Sequence, residues 1–455
     1  MKHSVSLVVV AVVAGALLSR MAWTQTAPPS QQEPQQVVHL STENAGEKTE
    51  TPAVSHSPAA PTVTLQELIE EALRKNPDIQ SARANYEAKT HRPSQVSAPP
   101  DPVVGFNYMG NLIPPFTEQR NDPSSYRQIM VTQDIPYPGK LRLRGEVAGR
   151  EASAEWWNYE ATRRRVTADM KVAYYDLIAV EKAIEITLKD KDLLERLEKI
   201  AEAQYRVGKG IQQDVLRAQV EITAVAQRLE VLRQQEKTAE VRINTLLFRD
   251  PEKPLAVTAE FKKAAFPYTI DELYEAALKN GPELNREEQM ISRNQYALRL
   301  ANKEYYPDFS VGFAWQQRTS GLPDMYGLGL SVNVPIWYKK KQREGVAEAT
   351  LDLRSAEKAR DNARTTLFFD VKQEYLAAKT SSNLSDLYGR ALVPQSTLAL
   401  DSSISSYQVG KVDFLSMLTN FRSILDYEIN YYQELANFQM ALARLEVMVG
   451  RELTQ

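Results

Sequence analysis

The stretch Tyr205-Arg206-Val207-Gly208-Lys209 returns near the end of the chain as Tyr407-Gln408-Val409-Gly410-Lys411. Earlier segments repeat in the same order: Thr64-Leu65-Gln66-Glu67-Leu68 matches Thr269-Ile270-Asp271-Glu272-Leu273. Matched segments lie roughly 200 residues apart, which is too long for the unit of a solenoid. We therefore predict a duplication that builds one object from two similar halves, 62–260 and 261–455.

Composition excludes several classes of site. The chain of 455 residues has a net charge of -3 and no cysteine. Disulfides, thiolate metal sites, cysteine nucleophiles and a lipidated N-terminal cysteine are therefore excluded. Of the four histidines, only His91 falls in a patterned region, so a site built from several histidines is not expected. The absence of a basic excess argues against a nucleic-acid partner, and no cofactor or metal is expected.

The N-terminus has the pattern of a secretory signal. Lys2 and His3 precede an apolar run from Val5 to Leu18, which is too short to span a bilayer. We assign 1–24 to a signal peptide, with a membrane anchor as the alternative. Residues 25–61 are rich in proline and glutamine and are predicted to form a disordered leader. No later run approaches 18 apolar residues, so no transmembrane helix is predicted.

Each half then opens with a capped helix. Thr64 is a candidate N-cap, and Glu67 occupies the N3 position of a capping box. Thr269 and Glu272 have the same spacing in the second half. A proline-rich break is predicted after the first helix, from Pro93 to Pro102.

Two strand-like segments follow in each half. Those of the second half, Phe309 to Gln317 and Tyr326 to Val334, alternate large apolar residues with small or polar ones. Their counterparts are Pro102 to Gly110 and Tyr126 to Ile135. Each has about the length that a tilted strand needs to cross a bilayer, although a soluble hairpin gives the same alternation.

Long helical segments follow the strands. Leu141 to Tyr205 contains no proline, and at 1.5 Å per residue it would extend for roughly 100 Å. A heptad pattern runs through it from Val166 to Ile184. The second long helix, Lys341 to Tyr407, is predicted to break or kink at Pro394. Return helices are predicted over Gln212 to Leu247 and Asp413 to Val449, so that each half ends in a long antiparallel hairpin.

This pattern predicts a mainly α protein with transmembrane β-strands. Four antiparallel strands cannot close a barrel, and open sheet edges are not tolerated in lipid. If the strands cross a membrane, several chains must therefore contribute strands to one closed barrel. Three chains would supply a 12-stranded β-barrel of a size suited to a water-filled pore.

These features resemble the TolC family of outer-membrane efflux proteins across Val63 to Gly450. The shared marks are the opening helix ending in Asn76-Pro77, the Gln133-Asp134-Ile135-Pro136 segment running into Gly139-Lys140, and the Tyr-x-Val-Gly turn followed by an aspartate. The resemblance implies a homotrimer whose barrel lies in the outer membrane of a Gram-negative bacterium and continues as an α-helical barrel into the periplasm. It also implies the exit duct of a tripartite efflux pump, of the resistance-nodulation-division type, or of a type I secretion system. The implied partners are a periplasmic adaptor protein, an inner-membrane transporter and outer-membrane lipid.

The resemblance also assigns candidate site residues. Asp413 corresponds to the aspartates that ring the closed periplasmic aperture, and Asp214 to a carboxylate that clasps the neighbouring hairpin through a tyrosine, here Tyr407. Ser416 stands where some members carry a second ring aspartate, and the second turn is shorter than the first. The alternative to a gate role is that Asp413 only caps the N-terminus of the helix that follows the turn. The residues assigned to adaptor docking at the hairpin tips are Tyr205, Val207, Gly208, Lys209, Val409, Gly410 and Lys411.

Two other classes of protein fit the sequence less well. An enzyme is disfavoured because no nucleophile elbow, phosphate-binding loop or dinucleotide motif is present. The alternative function is a soluble periplasmic coiled-coil adaptor or scaffold. An adaptor would normally carry one long hairpin rather than two copies of a strand pair and a hairpin, so the channel is preferred.

Overall fold

The computed structural model describes residues 62–110, 124–257, 261, 263, 266–318 and 321–453. The predicted signal peptide and leader lie outside the described residues, as do 258–260, where the predicted boundary between the halves falls. The boundaries of the two halves therefore stay predictions.

The first half runs from two short helices through two strands to a long helical hairpin. Its elements are β1 (Thr62–Val63), α1 (Leu65–Lys75), α2 (Pro77–Ser97), β2 (Val103–Met109), β3 (Tyr126–Ile135), α3 (Lys140–Arg206) and α4 (Gln212–Leu246). Thr64 and Glu67 form the predicted capping box, because each side chain pairs with the other residue's backbone N–H. The predicted strands and the first hairpin are thus observed.

The second half repeats this order. Its elements are α5 (Ile270–Asn280), α6 (Pro282–Lys303), β5 (Asp308–Arg318), β6 (Met325–Asn333), α7 (Gln342–Leu387), α8 (Val393–Gln408) and α9 (Phe414–Val449). Strand β4 (Ala256–Val257) follows α4, before the predicted boundary, and pairs with β1. Thr269 and Glu272 again form a capping box. The duplication predicted from the sequence is therefore present in the order of the elements.

Two helices were missed by the sequence analysis. Pro77 and Pro282 do not end the helical region of each half; each is the first residue of a second helix, α2 or α6. Proline is tolerated there because the first N–H of a helix has no intrahelical acceptor. Asn76 caps α2 with its side chain, which accepts from the backbone N–H of Asp78 at 2.9 Å.

The proline-rich break was also predicted too early. Helix α2 continues through Pro93 to Ser97, so only Pro99, Pro100 and Pro102 lie beyond its end. A proline inside a helix removes one hydrogen bond. Helix α2 packs along α3. This lateral packing stabilises the helix beyond Pro93, where the local sequence alone would end it.

Helix α3 is the element shared by the two halves. It contains 67 residues and packs against α2 and α4 of its own half and against α6 and α9 of the other. The predicted heptad positions Val166, Met170, Ala173 and Leu177 are all buried. They join Leu68 and Ile243 in one apolar core, so the seam read from the sequence is the core of the first hairpin.

The main sheet has the order β2-β3-β5-β6 and is antiparallel throughout. Its register aligns large residues across all four strands, as in the row Phe106, Ile129, Trp315 and Tyr326. The opposite face carries small and polar residues such as Gly312 and Gly329, which are paired in β5 and β6. The alternation predicted for the strands therefore produces one apolar and one polar face.

The second long helix is interrupted just before Pro394 rather than at it. A five-residue π-helix, Tyr388–Leu392, separates α7 from α8, and the N–H of Val393 bonds to the carbonyl of Tyr388. Pro394 has no N–H to offer the preceding turn, and the wider turn accommodates that loss. A Cβ on Gly389 would lie 2.8 Å from Tyr431 Cε2, so glycine lets α9 approach closely here.

Among the helices of the described ranges, none contains a stretch that is both long enough and apolar enough to cross a lipid bilayer.

Substituting Gly450→Ala should destabilise the fold. Gly450 has a φ of 72°, and a Cβ would lie 2.5 Å from Arg164 Nη1 and 2.7 Å from Asn280 O. The left-handed backbone alone costs an alanine about 1–2 kcal/mol, and these contacts add to it. Thermal unfolding followed by circular dichroism measures the change.

The matched control is Gly149→Ala within α3, where a Cβ would meet nothing within 4 Å. That substitution should be neutral or stabilising by about 0.5–1 kcal/mol, because alanine restricts the unfolded chain. Equal effects of the two substitutions would contradict the role given to Gly450.

Candidate functional site: the tips of the two helical hairpins

Both helical hairpins turn with the same backbone hydrogen bonds. In the first, Gly208 N bonds to Tyr205 O and Lys209 N to Gln204 O; in the second, Gly410 N bonds to Tyr407 O and Lys411 N to Ser406 O. This pair of bonds is a Schellman motif, which requires a left-handed residue after the helix. Gly208 and Gly410 have φ values of 74° and 75°. The repeated sequence thus encodes two turns of one shape.

The tips present apolar and cationic side chains to solvent. The exposed fractions of Tyr205, Val207 and Val409 are 46%, 67% and 68%. Lys209 and Lys411 are exposed beside them. Isolated apolar residues are common on protein surfaces, but Val207 and Val409 are exposed at matching positions of both turns, which forms a surface suited to protein contact. The counterpart of Tyr205 is Tyr407, which is buried.

Asp214 and Tyr407 meet at the base of the tips. The Tyr407 hydroxyl donates to Asp214 Oδ2 at 3.3 Å, and both residues are buried. Burial raises the pKa of Asp214 above its ordinary value, while the hydrogen bond from Tyr407 and the charge of Arg217 oppose the shift. Burial and the adjacent carboxylate raise the pKa of Tyr407 to about 12. The contact expected from the sequence is therefore present, whereas its role as a clasp stays a prediction.

Other contacts between the hairpins were missed by sequence reasoning. Gln204 Nε2 donates to Gln408 O at 2.9 Å, which ties the end of α3 to the end of α8. Farther from the turns, Arg422 makes two hydrogen bonds to the buried carboxylate of Glu221, of which the Nε bond is 2.9 Å long. In the sequence, charged residues on long helices are indistinguishable from those of a solvent-exposed face. The pairing of Arg422 with Glu221 is therefore identified only by the packing of the helices.

Asp413 occupies the N-cap position of α9 and is exposed. Its carboxylate accepts a hydrogen bond of 2.5 Å from the Ser416 hydroxyl. This bond is the main cause that lowers the pKa of Asp413 below its ordinary value. Ser416, which replaces a possible second aspartate, thus favours the charged form of the first. The capping position does not exclude the gate role, because the carboxylate stays accessible.

The sheet, the two long hairpins and their paired tips together make the fold of solved outer-membrane channel proteins. OprN, an outer-membrane channel, has this fold: its structure superposes with a TM-score of 0.73 at 19% identity and covers 85% of this chain and 89% of its own. The outer-membrane channel CmeC of Campylobacter jejuni gives 0.72 at 14% identity, covering 91% and 95%.

Sequence comparison identifies the family. The pattern of the outer membrane efflux protein family matches residues 68–247 and 273–451, and the chain belongs to that family. A curated relative is the cobalt-zinc-cadmium resistance protein CzcC of Cupriavidus metallidurans, 20% identical over 322 residues, which are 70% of this chain and 75% of CzcC. The protein is thus an efflux channel of the Gram-negative outer membrane that extends into the periplasm.

Tyr407→Phe should loosen the contact between the hairpin tips while leaving the ring in place. The ring packs edge-on against Phe414 with centroids 5.5 Å apart, so only the hydrogen bond to Asp214 is lost. A hydrogen bond to a charged group contributes about 1.5–3 kcal/mol, and amide exchange in 404–416 and 207–216 should accelerate accordingly. Exchange measured by mass spectrometry tests this.

The pseudo-equivalent substitution Tyr205→Phe is the control, because that ring is largely exposed. Unchanged exchange in the Tyr407→Phe protein would mean that the hydrogen bond contributes nothing to holding the tips together.

Proposed function

We propose that three copies of this chain form the exit duct of a tripartite efflux pump. The observation that carries the proposal is the pair of sheet edges: within the described residues, β2 and β6 each hydrogen-bond to a neighbouring strand on one side only. All of β6 is exposed, including Leu328 and Leu330 at 86% and 71%. An apolar, unpaired strand edge is not stable in lipid. Pairing between copies removes every edge, and three copies supply twelve strands.

The tips supply the docking surface for a periplasmic adaptor in this proposal. Val207 and Val409 provide apolar contact, and Lys209 and Lys411 provide positive charge, at one end of the helical hairpins. An inner-membrane transporter would drive export through the adaptor, because a passive duct has no energy source of its own. The duct itself performs no chemistry in this scheme.

Asp413 is proposed to ring the periplasmic aperture. Three exposed carboxylates near a common axis would repel one another, retain counter-cations and narrow the opening. Asp214 and Tyr407 would hold the two hairpins of each chain in the closed arrangement. Opening would then require the tips to separate, which an adaptor seated on them could bring about.

Heavy-metal ions are the first cargo to test, because the relative CzcC is a cobalt-zinc-cadmium resistance protein. Among the described residues, no group of three or more histidine, aspartate or glutamate side chains is placed to hold a metal ion. The proposal is therefore passage through a wide aqueous duct, and cargo choice would rest with the transporter.

Asp413→Ala should raise the ion conductance of the channel and reduce its cation selectivity, because the charged constriction is removed. Single-channel recordings in planar bilayers measure both quantities. Asp401→Ala removes an equal charge from an exposed position of α8 away from the turn and should change neither. Wild-type conductance and selectivity in the Asp413→Ala channel would remove Asp413 from the gate.

Gly208→Trp and Gly410→Trp should abolish export without abolishing trimers. A Cβ at either glycine meets nothing within 4 Å, so the indole would project from the tip and block docking, while the left-handed φ adds a local strain of about 1–2 kcal/mol. Export is measured as metal or drug tolerance of a strain that lacks its own duct, and assembly by native mass spectrometry of detergent-extracted protein.

Gly321→Trp is the matched control, since Gly321 has a φ of 70° and equally open surroundings but lies in the β5–β6 loop. It should export normally. Normal export by the tip variants would refute docking at the tips, and a monomeric wild-type chain would refute the proposed assembly.

A further inference from the structure

In one chain, the two halves meet where β3 pairs with β5 and Lys140 binds Asp308; we call this contact the joint. We infer that the joint is repeated at equivalent residues between neighbouring chains. In this joint, β6 of one copy pairs with β2 of the next so that Gly329 faces Asn107, and the lysines after β6 contact Asp101 of the next copy. The inference rests on the proposed assembly of three chains and specifies its interface.

The joint inside one chain is built around a buried cation. Lys140 is 1% exposed, and its ammonium donates to Asp308 Oδ1 at 2.9 Å, to Glu304 Oε2 at 3.1 Å and to Tyr306 O at 3.1 Å. The Tyr137 ring stacks on Tyr306 with centroids 4.6 Å apart. A buried ammonium is stable only when such partners satisfy it. These contacts fasten the β3–α3 connection of the first half to the α6–β5 connection of the second.

The duplication gives each side of this joint a counterpart. Lys140 is the fourth residue after Pro136, and Lys339 is the fourth after the matching Pro335. Asp308 lies three residues before Val311, as Asp101 lies three before the matching Val104. The second half therefore ends its strand pair with a cation, and the first half begins its own with a carboxylate.

In the single chain, these counterpart residues are exposed to solvent. Lys339, Lys340, Lys341 and Asp101 are all exposed, whereas Lys140 is buried. Ile336, the counterpart of Tyr137, is 69% exposed, and the adjacent Trp337 is 73% exposed. A second copy would bring Asp101 to the lysines and the Pro99-Pro100 segment to the apolar side chains.

The strand pairing follows from the same correspondence. Val104 pairs with Val131 in the first half, and their equivalents Val311 and Leu330 pair in the second, so the two halves share one register. Within the chain, β3 meets β5 with Met130 opposite Ala314. Gly329 is the equivalent of Met130, and Asn107 is the equivalent of Ala314. The same pairing between copies therefore places Gly329 of β6 opposite Asn107 of β2 in the next copy. Pairs on the apolar face follow, with Leu330 opposite Phe106.

Some features make the joint between chains weaker than the joint within one. The counterpart of Glu304 is Ser97, so a single carboxylate faces the lysines instead of two. Three consecutive lysines replace Lys140, and α7 begins only at Gln342, so the cation is not fixed at the start of a helix. The interface between copies therefore relies more on strand pairing, and the joint within a chain more on the buried ion cluster.

Disulfide cross-linking tests the register, because the chain contains no cysteine of its own. The variant Gly329→Cys with Asn107→Cys places two thiols directly opposite each other on the polar face, within the distance that a disulfide spans. A Cβ at Gly329 meets only Gly312 O at 3.9 Å, so the fold accommodates it. Mild oxidation of extracted protein should convert most chains into covalent dimers and trimers on non-reducing gels.

The control variant, Ser331→Cys with Asn107→Cys, shifts the pair by two residues on the same face and should cross-link at least about tenfold less, because diagonal neighbours are too far apart. Native mass spectrometry of the reduced variants verifies that trimers form. Preferential cross-linking of the control, or trimers that cross-link with neither pair, would overturn the register while leaving the assembly intact. A monomeric wild-type chain would instead overturn the assembly.

Charge reversal tests the ion pair separately. Asp101→Lys should reduce the fraction of trimer that survives mild detergent by about tenfold, because like charges would then face each other across the interface. Replacing Lys339, Lys340 and Lys341 by glutamate in the same chain should restore most of the trimer. No loss with Asp101→Lys, or no recovery in the combined variant, would remove this ion pair from the interface.

Discussion

Lateral packing along α3 is the constraint on which the rest of the structure depends. An isolated helix gains little stability from its own hydrogen bonds, so a helix of 67 residues must be supported along its whole length. The stripe that contains Met170 and Leu177 packs on α1 and α4 of the first half. A second stripe, which contains Ala168 and Val172, packs on α9 of the second half. The hairpins, the capped helices at their base and the sheet are arranged around it.

The sheet carries a different constraint, because its edges are incomplete. Its strands have one apolar and one polar face, and β2 and β6 leave backbone groups without strand partners within the described part of the chain. In a membrane this forces pairing with another copy. Because the two halves are duplicates, the contact that joins β3 to β5 inside one chain can be repeated between β6 and β2 of neighbouring chains.

The duplication also produces two hairpin tips of similar backbone geometry. Both turns use the same hydrogen bonds around Gly208 and Gly410, but the residues that follow differ: Asp214 is buried against Tyr407, whereas Asp413 is exposed. One carboxylate is thus hydrogen-bonded between the hairpins, and the other is accessible to solvent. The two aspartates differ in environment because Asp214 lies within the first turn of α4 and faces the neighbouring hairpin, whereas Asp413 is the N-cap of α9 and faces solvent.

The sequence by itself determined the duplication, the strands, the long hairpins and their turns, because periodicity, glycine turns and repeated motifs are local signals. The contact of Asp214 with Tyr407 was expected only from the resemblance to a family. It did not reveal α2 and α6, where Pro77 and Pro282 start helices that looked like endings, nor the continuation of α2 through Pro93. It also gave no sign of the buried Lys140 cluster or of the pairing of Arg422 with Glu221. Those features depend on which faces meet, and a charged residue that will be buried looks the same in sequence as one that stays in water. Only the tertiary structure could decide them.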